Sequence, residues 1–199
     1  WDALQADVVI DATGRFLTRE KLVRHLESGA KRVFLTRNPK NNIERYVIPG
    51  INESSISASD KIISTTSSTT QVLALMVKML DEAFGLQRAM MTTVHAYTAD
   101  QPLADAAGAD LRRSRSAVEN IIPNTTKAPD LVKKIMPQYE GKIEGIAFNV
   151  PVPNGSCVDL TTELERMPTI EEANQAIKSF SKGDLDGIVG YTSDPIVSS

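Results

Sequence analysis

Residues 63–74 read ISTTSSTTQVLA, a run of hydroxyl side chains that opens straight into an apolar-periodic segment. Residues 91–101 read MTTVHAYTADQ and carry His95, one of only 2 histidines in the chain. A hydroxyl at a helix mouth stands where free backbone N–H groups favour negative charge. An imidazole is the side chain best placed to take a proton near neutral pH. These are the residue types of nucleophilic catalysis, an attacking Ser68 and a base His95. Each also has a plainer reading. Ser68 lies just before Thr69 opens the helix, and serine is a preferred N-cap. His95 ends a β-branched run, where a histidine is more often a satisfied structural residue.

The elements that must position these residues follow from pattern. An apolar run over 7–12, DVVIDA, is a strand covered on both faces, closed by Thr13-Gly14. Residues 18–26 carry Leu22, Val23 and Leu26 at helical spacing, with Thr18 as N-cap and Gly29 as stop. Residues 32–36, RVFLT, are the next strand. Strand–helix–strand order predicts a parallel pair with a right-handed crossover. A brief strand follows at 46–47. A helix over 69–84 places Val72, Leu73, Met76, Val77 and Leu80 on one side and stops at Gly85.

Strand character returns at 90–95, and 104–127 is irregular. A helix is expected over 130–136. Strands are expected over 143–150 and 156–163, joined through PVPNG. Thr169 caps a helix over 170–180, and a last short strand is expected over 188–191. The fold class is α/β: part of a parallel sheet, then an α+β region with a largely antiparallel sheet.

Composition narrows the function classes. The chain has 199 residues, 41% apolar and 24% charged, with net charge −3. That charge gives no footprint for nucleic acid or an anionic membrane surface. No apolar run approaches the length that spans a bilayer. One cysteine, Cys157, excludes an internal disulfide and a CxxC metal site, and no metal is expected. A lone thiol fits a reducing cytoplasm. In its strand Cys157 reads as a small buried residue. His25 reads as a surface or packing residue of its helix.

Seven segments, DVVIDATGRFLTRE, YVIPGINESS, KIISTTSSTTQ, MTTVHAYTADQ, DLRRSRSAVENIIP, VPVPN and GIVGYTSDPIVSS, carry a resemblance over essentially the whole chain. In order and spacing they resemble the glyceraldehyde-3-phosphate dehydrogenase family, of which the erythrose-4-phosphate dehydrogenase branch is a close relative. The resemblance implies that residues 1–64 are the second half of an NAD(P)-binding Rossmann-type domain and that 65–199 are the catalytic domain. The first half, with its G-x-G-x-x-G turn, and the long C-terminal helix are then expected to lie outside this sequence.

The implied chemistry is NAD- or NADP-dependent oxidation of a phosphorylated aldehyde, with inorganic phosphate as second substrate. In the family a cysteine thiolate at a helix N-terminus attacks the aldehyde and a histidine acts as base. Carried over, Ser68 stands at the nucleophile position and His95 at the base. Ser67, Thr69, Thr98 and Thr126 match phosphate or substrate contacts. Thr13 and Gly14 match the turn nearest the cofactor, though a tight turn alone also explains the glycine.

Asn149 occupies the place of a phosphate-binding arginine, while Thr65 and Gln71 each replace an asparagine. Arg113, in the run Arg112-Arg113-Ser114-Arg115, lies in the loop that approaches cofactor and neighbouring subunit. The alternative for that run is a basic patch for nucleic acid. A homotetramer is implied. Two other readings stand beside the enzyme: a catalytically inactive relative serving as an oligomerising or scaffold module, and an active enzyme carrying an introduced serine.

Overall fold

The computed structural model describes residues 1–198. The chain divides into two compact units, Trp1–Leu75 and Met76–Ser199. The expected division at residues 64 and 65 falls just ahead of the helix within which this division lies.

In the first unit, β1 (Val8–Asp11), β2 (Arg32–Leu35), β3 (Arg45–Tyr46) and β4 (Ile62–Ser64) form a parallel sheet in the order β1-β2-β4-β3. Helix α1 (Arg19–Glu27) connects the first two strands, as the periodicity predicts. Leu22, Val33, Leu35 and Ile62 are fully buried, and Phe16, Leu17, Val23, Leu26 and Ile43 pack against them. Each such side chain contributes about 1.5–3 kcal/mol on burial.

Thr18 holds the N-cap position with extended backbone but makes no side-chain cap bond. The Arg19 N–H goes instead to Asn41 Oδ1 at 2.8 Å. One expectation fails at β1. Its residues alternate between exposed and buried, so one face of the strand is open, and Val8 and Ile10 lie on it.

Helix α2 (Ser68–Phe84) follows β4 and crosses the division between the units. Gly85 ends it with a left-handed backbone, φ +71°. Its N–H reaches the Asp81 carbonyl at 2.8 Å. Leu73, Ala74 and Val77 are buried, whereas Val72, expected among them, is exposed.

The second unit carries β5 (Leu86–Ala96), β6 (Ile122–Asn124), α3 (Ala128–Ile135), β7 (Ile143–Val150), β8 (Ser156–Leu164) and α4 (Ile170–Lys182). The sheet order is β6-β7-β5-β8, with β5 parallel to β7 and the other two pairs antiparallel. β7 and β8 are therefore not neighbours; the PVPNG connection carries the chain past β5. α3 packs on β7 where Gly145 has no side chain: a Cβ there would lie 2.9 Å from Met91 Cε and 3.1 Å from Pro129 Cγ.

Thr169 caps α4 as expected, and Glu172 completes a reciprocal capping box with it. The strand expected over 188–191 does not form. Turn bonds from the N–H groups of Ile188 and Val189 to the Leu185 carbonyl use that backbone instead. The α/β class is as the sequence predicts; the second sheet, expected to be largely antiparallel, has one parallel pair, β5 with β7, beside its two antiparallel ones.

Candidate functional site

The hydroxyl run lies in the turn from β4 into α2. Ser67, not Ser68, caps the helix: its Oγ accepts from the Thr70 N–H at 3.3 Å and lies 2.8 Å from Thr70 Oγ1. This corrects the capping role read for Ser68. Ser68 is the first residue of α2 and exposed. Among the described residues its hydroxyl has no hydrogen-bond partner, and neither has that of Thr69.

A capping oxygen must stand outside the helix to reach the N–H three residues on, and Ser67 does so. Position 68 is thereby left free over the first helical turn, where N–H groups favour negative charge. Gln71 Nε2 donates to the Thr65 carbonyl at 2.7 Å and ties the first turn of α2 back to the end of β4.

In the second unit, His95 lies near the end of β5, opposite Asn149 on β7 and Ser156 on β8. Its Nδ1 is 2.7 Å from the Ala96 carbonyl oxygen. A carbonyl only accepts, so Nδ1 carries a proton, and in the neutral ring the lone pair is the one on Nε2. That tautomer suits a general base.

Asn149 is buried. Its Nδ2 donates to the Ala96 carbonyl at 3.1 Å and its Oδ1 accepts from Asn124 Nδ2 at 2.9 Å. One N–H and the oxygen of its side chain are engaged within the sheet, and it carries no charge. Thr126 lies just ahead of α3, where its Oγ1 accepts from the Ala128 N–H at 3.1 Å.

Thr98 is exposed and donates its hydroxyl to Asp100 Oδ1, while Gln101 Oε1 accepts from its N–H at 3.0 Å. Arg113 Nη2 reaches Asp100 Oδ2 at 2.6 Å. The Thr98 hydrogen bond, with help from Arg113 and against partial burial, holds the Asp100 carboxyl below its ordinary pKa. Asp100 thus gathers a hydroxyl and a guanidinium that the sequence suggested separately. Arg115 pairs with Asp105 at 3.0 Å. Two charges of the basic run are neutralised within their own loop, which disfavours a nucleic-acid surface.

Cys157 is exposed, which corrects the buried reading. β8 is the sheet's edge and holds no buried residue.

The Thr13-Gly14 turn closes β1. Thr13 donates from N and Oγ1 to Asp11 Oδ1 at 2.9 and 2.7 Å. Asp11, 2% exposed, also lies 3.2 Å from His25 Nε2 through Oδ2. His25 Nδ1 accepts from the Trp1 indole N–H at 3.0 Å. His25 is therefore the packing residue of the two readings, half-buried and linking exposed Trp1 to buried Asp11. Burial raises the Asp11 pKa, but the Thr13 bonds and His25 outweigh it and the net shift is downward.

Gly14 adopts φ +70°, and a Cβ there would stand 2.7 Å from Arg37 Nη1. Bare backbone with a guanidinium beside it, at the carboxyl end of a parallel strand, suits an anionic dinucleotide. Asp11, Asp100 and Gln101 are the residues that sequence reasoning missed. The only available signal was their placement two or three positions from a threonine that could bond them.

Residues 67–199 match the family described as glyceraldehyde 3-phosphate dehydrogenase, C-terminal domain. The chain belongs to the glyceraldehyde-3-phosphate dehydrogenase family. It is 44% identical over 199 residues to glyceraldehyde-3-phosphate dehydrogenase of Geobacillus stearothermophilus, covering all of this chain and 59% of that one. It is 43% identical to glyceraldehyde-3-phosphate dehydrogenase 1 of Bacillus subtilis, with the same coverage. Against the enzyme of Mycobacterium avium it is 43% identical, over 100% of this chain and 58% of that one. The chain thus spans less than two thirds of these dehydrogenases. Among the described residues no helix is long and apolar enough to cross a membrane, and no cluster of metal-binding side chains occurs.

Proposed function

We propose that the protein is a phosphorylating aldehyde dehydrogenase of the glyceraldehyde-3-phosphate type, with a serine in the nucleophile's place. The observation that carries this is the helix start: Ser67 takes the cap and leaves the Ser68 hydroxyl unengaged at the first turn of α2. Residues 1–64 serve as part of the nucleotide-binding domain and 65–199 as the catalytic domain.

Ser68 Oγ attacks the aldehyde carbon of a phosphorylated aldehyde, and His95 Nε2 takes the hydroxyl proton. Bound NAD or NADP, held in part by Thr13 and Gly14, would supply the hydride acceptor. Inorganic phosphate attacks the acyl carbon of the ester on Ser68, the acyl carbon–Oγ bond breaks, Ser68 Oγ takes back a proton from His95, and an acyl phosphate leaves. Ser67, Thr69, Thr98 and Thr126 bind the phosphate groups.

Turnover is slow for two reasons. A serine hydroxyl is barely ionised near neutral pH, whereas a cysteine has useful thiolate. Asn149 offers no bidentate charged contact, worth roughly 1.5–3 kcal/mol. The family relationship also supports a homotetramer, and the single cysteine supports a reducing cytoplasm.

A second reading, an inactive oligomerising or scaffold relative, is favoured by one observation: both polar ends of Asn149 are engaged inside the sheet. The test is formation of reduced cofactor from glyceraldehyde 3-phosphate and phosphate by the complete protein. Slow turnover that rises at least about tenfold in Ser68→Cys, a barrier change of about 1.4 kcal/mol, supports the dehydrogenase. No turnover in either supports the inactive relative.

A further inference from the structure

Thr66 is a β-branched residue with a left-handed backbone, φ +65°, and it is fully buried. Threonine rarely enters that region, because its Cβ crowds the backbone there. Such a conformation persists only where the surroundings impose it. The bonds that impose it here are identifiable.

The Thr66 N–H donates to Ser64 Oγ at 3.0 Å, and Ser64 Oγ itself donates to the Arg37 carbonyl at 2.9 Å. One residue before, the Thr65 N–H extends the β2 ladder to the Leu35 carbonyl at 3.0 Å. The Thr65 carbonyl is held by Gln71 Nε2 at 2.7 Å. One residue after, Ser67 is held by its own capping bond. Thr66 is fixed from both sides in a conformation its side chain disfavours.

The consequence falls on position 68. The left-handed residue reverses the chain between strand and helix within a single step. Ser67 is thereby set outside the helix as cap, and position 68 becomes the first helical residue. With an ordinary right-handed or extended backbone at 66, the hydroxyl run offers neighbouring serines and threonines that could cap instead, Ser68 among them. We infer that Thr66 is a positioning residue: its imposed left-handed backbone keeps the side chain at position 68 out of the capping role and exposed at the N-terminus of α2. This rests on the reading that position 68 performs the chemistry, but its test does not need turnover.

The reporter is Ser68→Cys in a Cys157→Ser background of the 199-residue chain, with alkylation by iodoacetamide followed against pH. A thiol held at the helix mouth ionises below the ordinary value of about 8.5. Adding Ser64→Ala frees the Thr66 N–H and lets the residue leave the left-handed region. The midpoint is then expected to rise by about one unit, with alkylation at pH 7 about tenfold slower. Adding Thr66→Gly to Ser64→Ala restores the parent profile, because glycine takes the same φ without a steric penalty.

A merely structural role for Thr66 would not give that rescue. Gln71→Ala, which releases the turn from the other side, should behave as Ser64→Ala does and serves in its place if that variant does not show a cooperative melt. A parent midpoint at about 8.5, a release that leaves the midpoint unchanged, or a glycine that fails to restore it overturns the inference. Loss of dehydrogenase activity alone, with the rescue intact, would overturn the functional reading and leave this one standing.

Discussion

Asn149 donates from Nδ2 to the Ala96 carbonyl oxygen at 3.1 Å, the oxygen that His95 Nδ1 also approaches at 2.7 Å. The Asn149 side chain is therefore part of the scaffold that holds the strand end at His95. Asn149→Ala strands Asn124 Nδ2, whose acceptor is Asn149 Oδ1 at 2.9 Å. The expected loss is about 1–3 kcal/mol for a donor left without its partner. Urea unfolding should show a lower midpoint with an unchanged slope, since the surface exposed on unfolding is the same.

The Asp11 chain gives a pH-dependent expectation. The indole of Trp1 only donates, so His25 Nδ1 accepts and Nε2–H points at Asp11. Asp11→Asn keeps an oxygen for Thr13 but turns an amide N–H toward the imidazole N–H. Two donors then face each other in a buried place. A loss of about 1–3 kcal/mol is expected near pH 7.

The folded carboxyl of Asp11 lies below its ordinary 3.8. Its stabilising effect is thus complete above that value and disappears as pH falls through the folded one. The gap between parent and Asp11→Asn should close on acidification into that range. Denaturant midpoints at neutral pH and near pH 3 check this, and a gap that stays constant would contradict the assignment.

How far the sequence could be read depends on whether the deciding partner is near in the chain. The 3.6 period of α1, the capping box at Thr169 and the stop at Gly85 are local, and the structure has all three. The helix start at residues 64–71 was ambiguous because STTSSTTQ offers several possible caps in a row. Ser67 was selected by the backbone at Thr66, a type that gives no warning of a left-handed conformation. His25 meets Asp11 from 14 residues away, across the turn after β1 and most of α1. The exposure of Cys157 depends on one face of the edge strand β8 being open, and which face is covered is not encoded in alternation. Asn149 was set apart by type, but that its amide bonds Asn124 required the β6–β7 register, in which Ile122 faces Asn149.

Cys157 supplies a direct chemical check of that edge. The thiol is exposed in the native chain. One equivalent of an aromatic disulfide reagent should therefore react without denaturant, at a rate close to that of an unstructured thiol. A thiol that reacts only after unfolding would mean that another surface covers this edge of the sheet in solution.

The Tyr139 hydroxyl donates to Asp81 Oδ2 at 2.6 Å, and Asp81 Oδ1 accepts from the Leu86 N–H at 2.6 Å. One carboxylate thus joins the end of α2, the start of β5 and the segment after α3. Burial of the ring, then the Asp81 carboxylate, pushes the Tyr139 pKa above its ordinary 10.0. The proton is held more tightly in the folded state, so this contribution is complete below that value. It is lost as pH rises through it toward the folded value.

Tyr139→Phe should cost about 1.5–3 kcal/mol at neutral pH, the range for a hydrogen bond to a charged group. The deficit relative to the parent should shrink above about pH 10, where the unfolded parent's phenol ionises and the parent loses this advantage. Denaturant titrations of both proteins at neutral pH and in mild alkali measure that difference directly. A deficit that did not shrink in alkali would show that packing, rather than the held proton, accounts for the tyrosine's effect on stability.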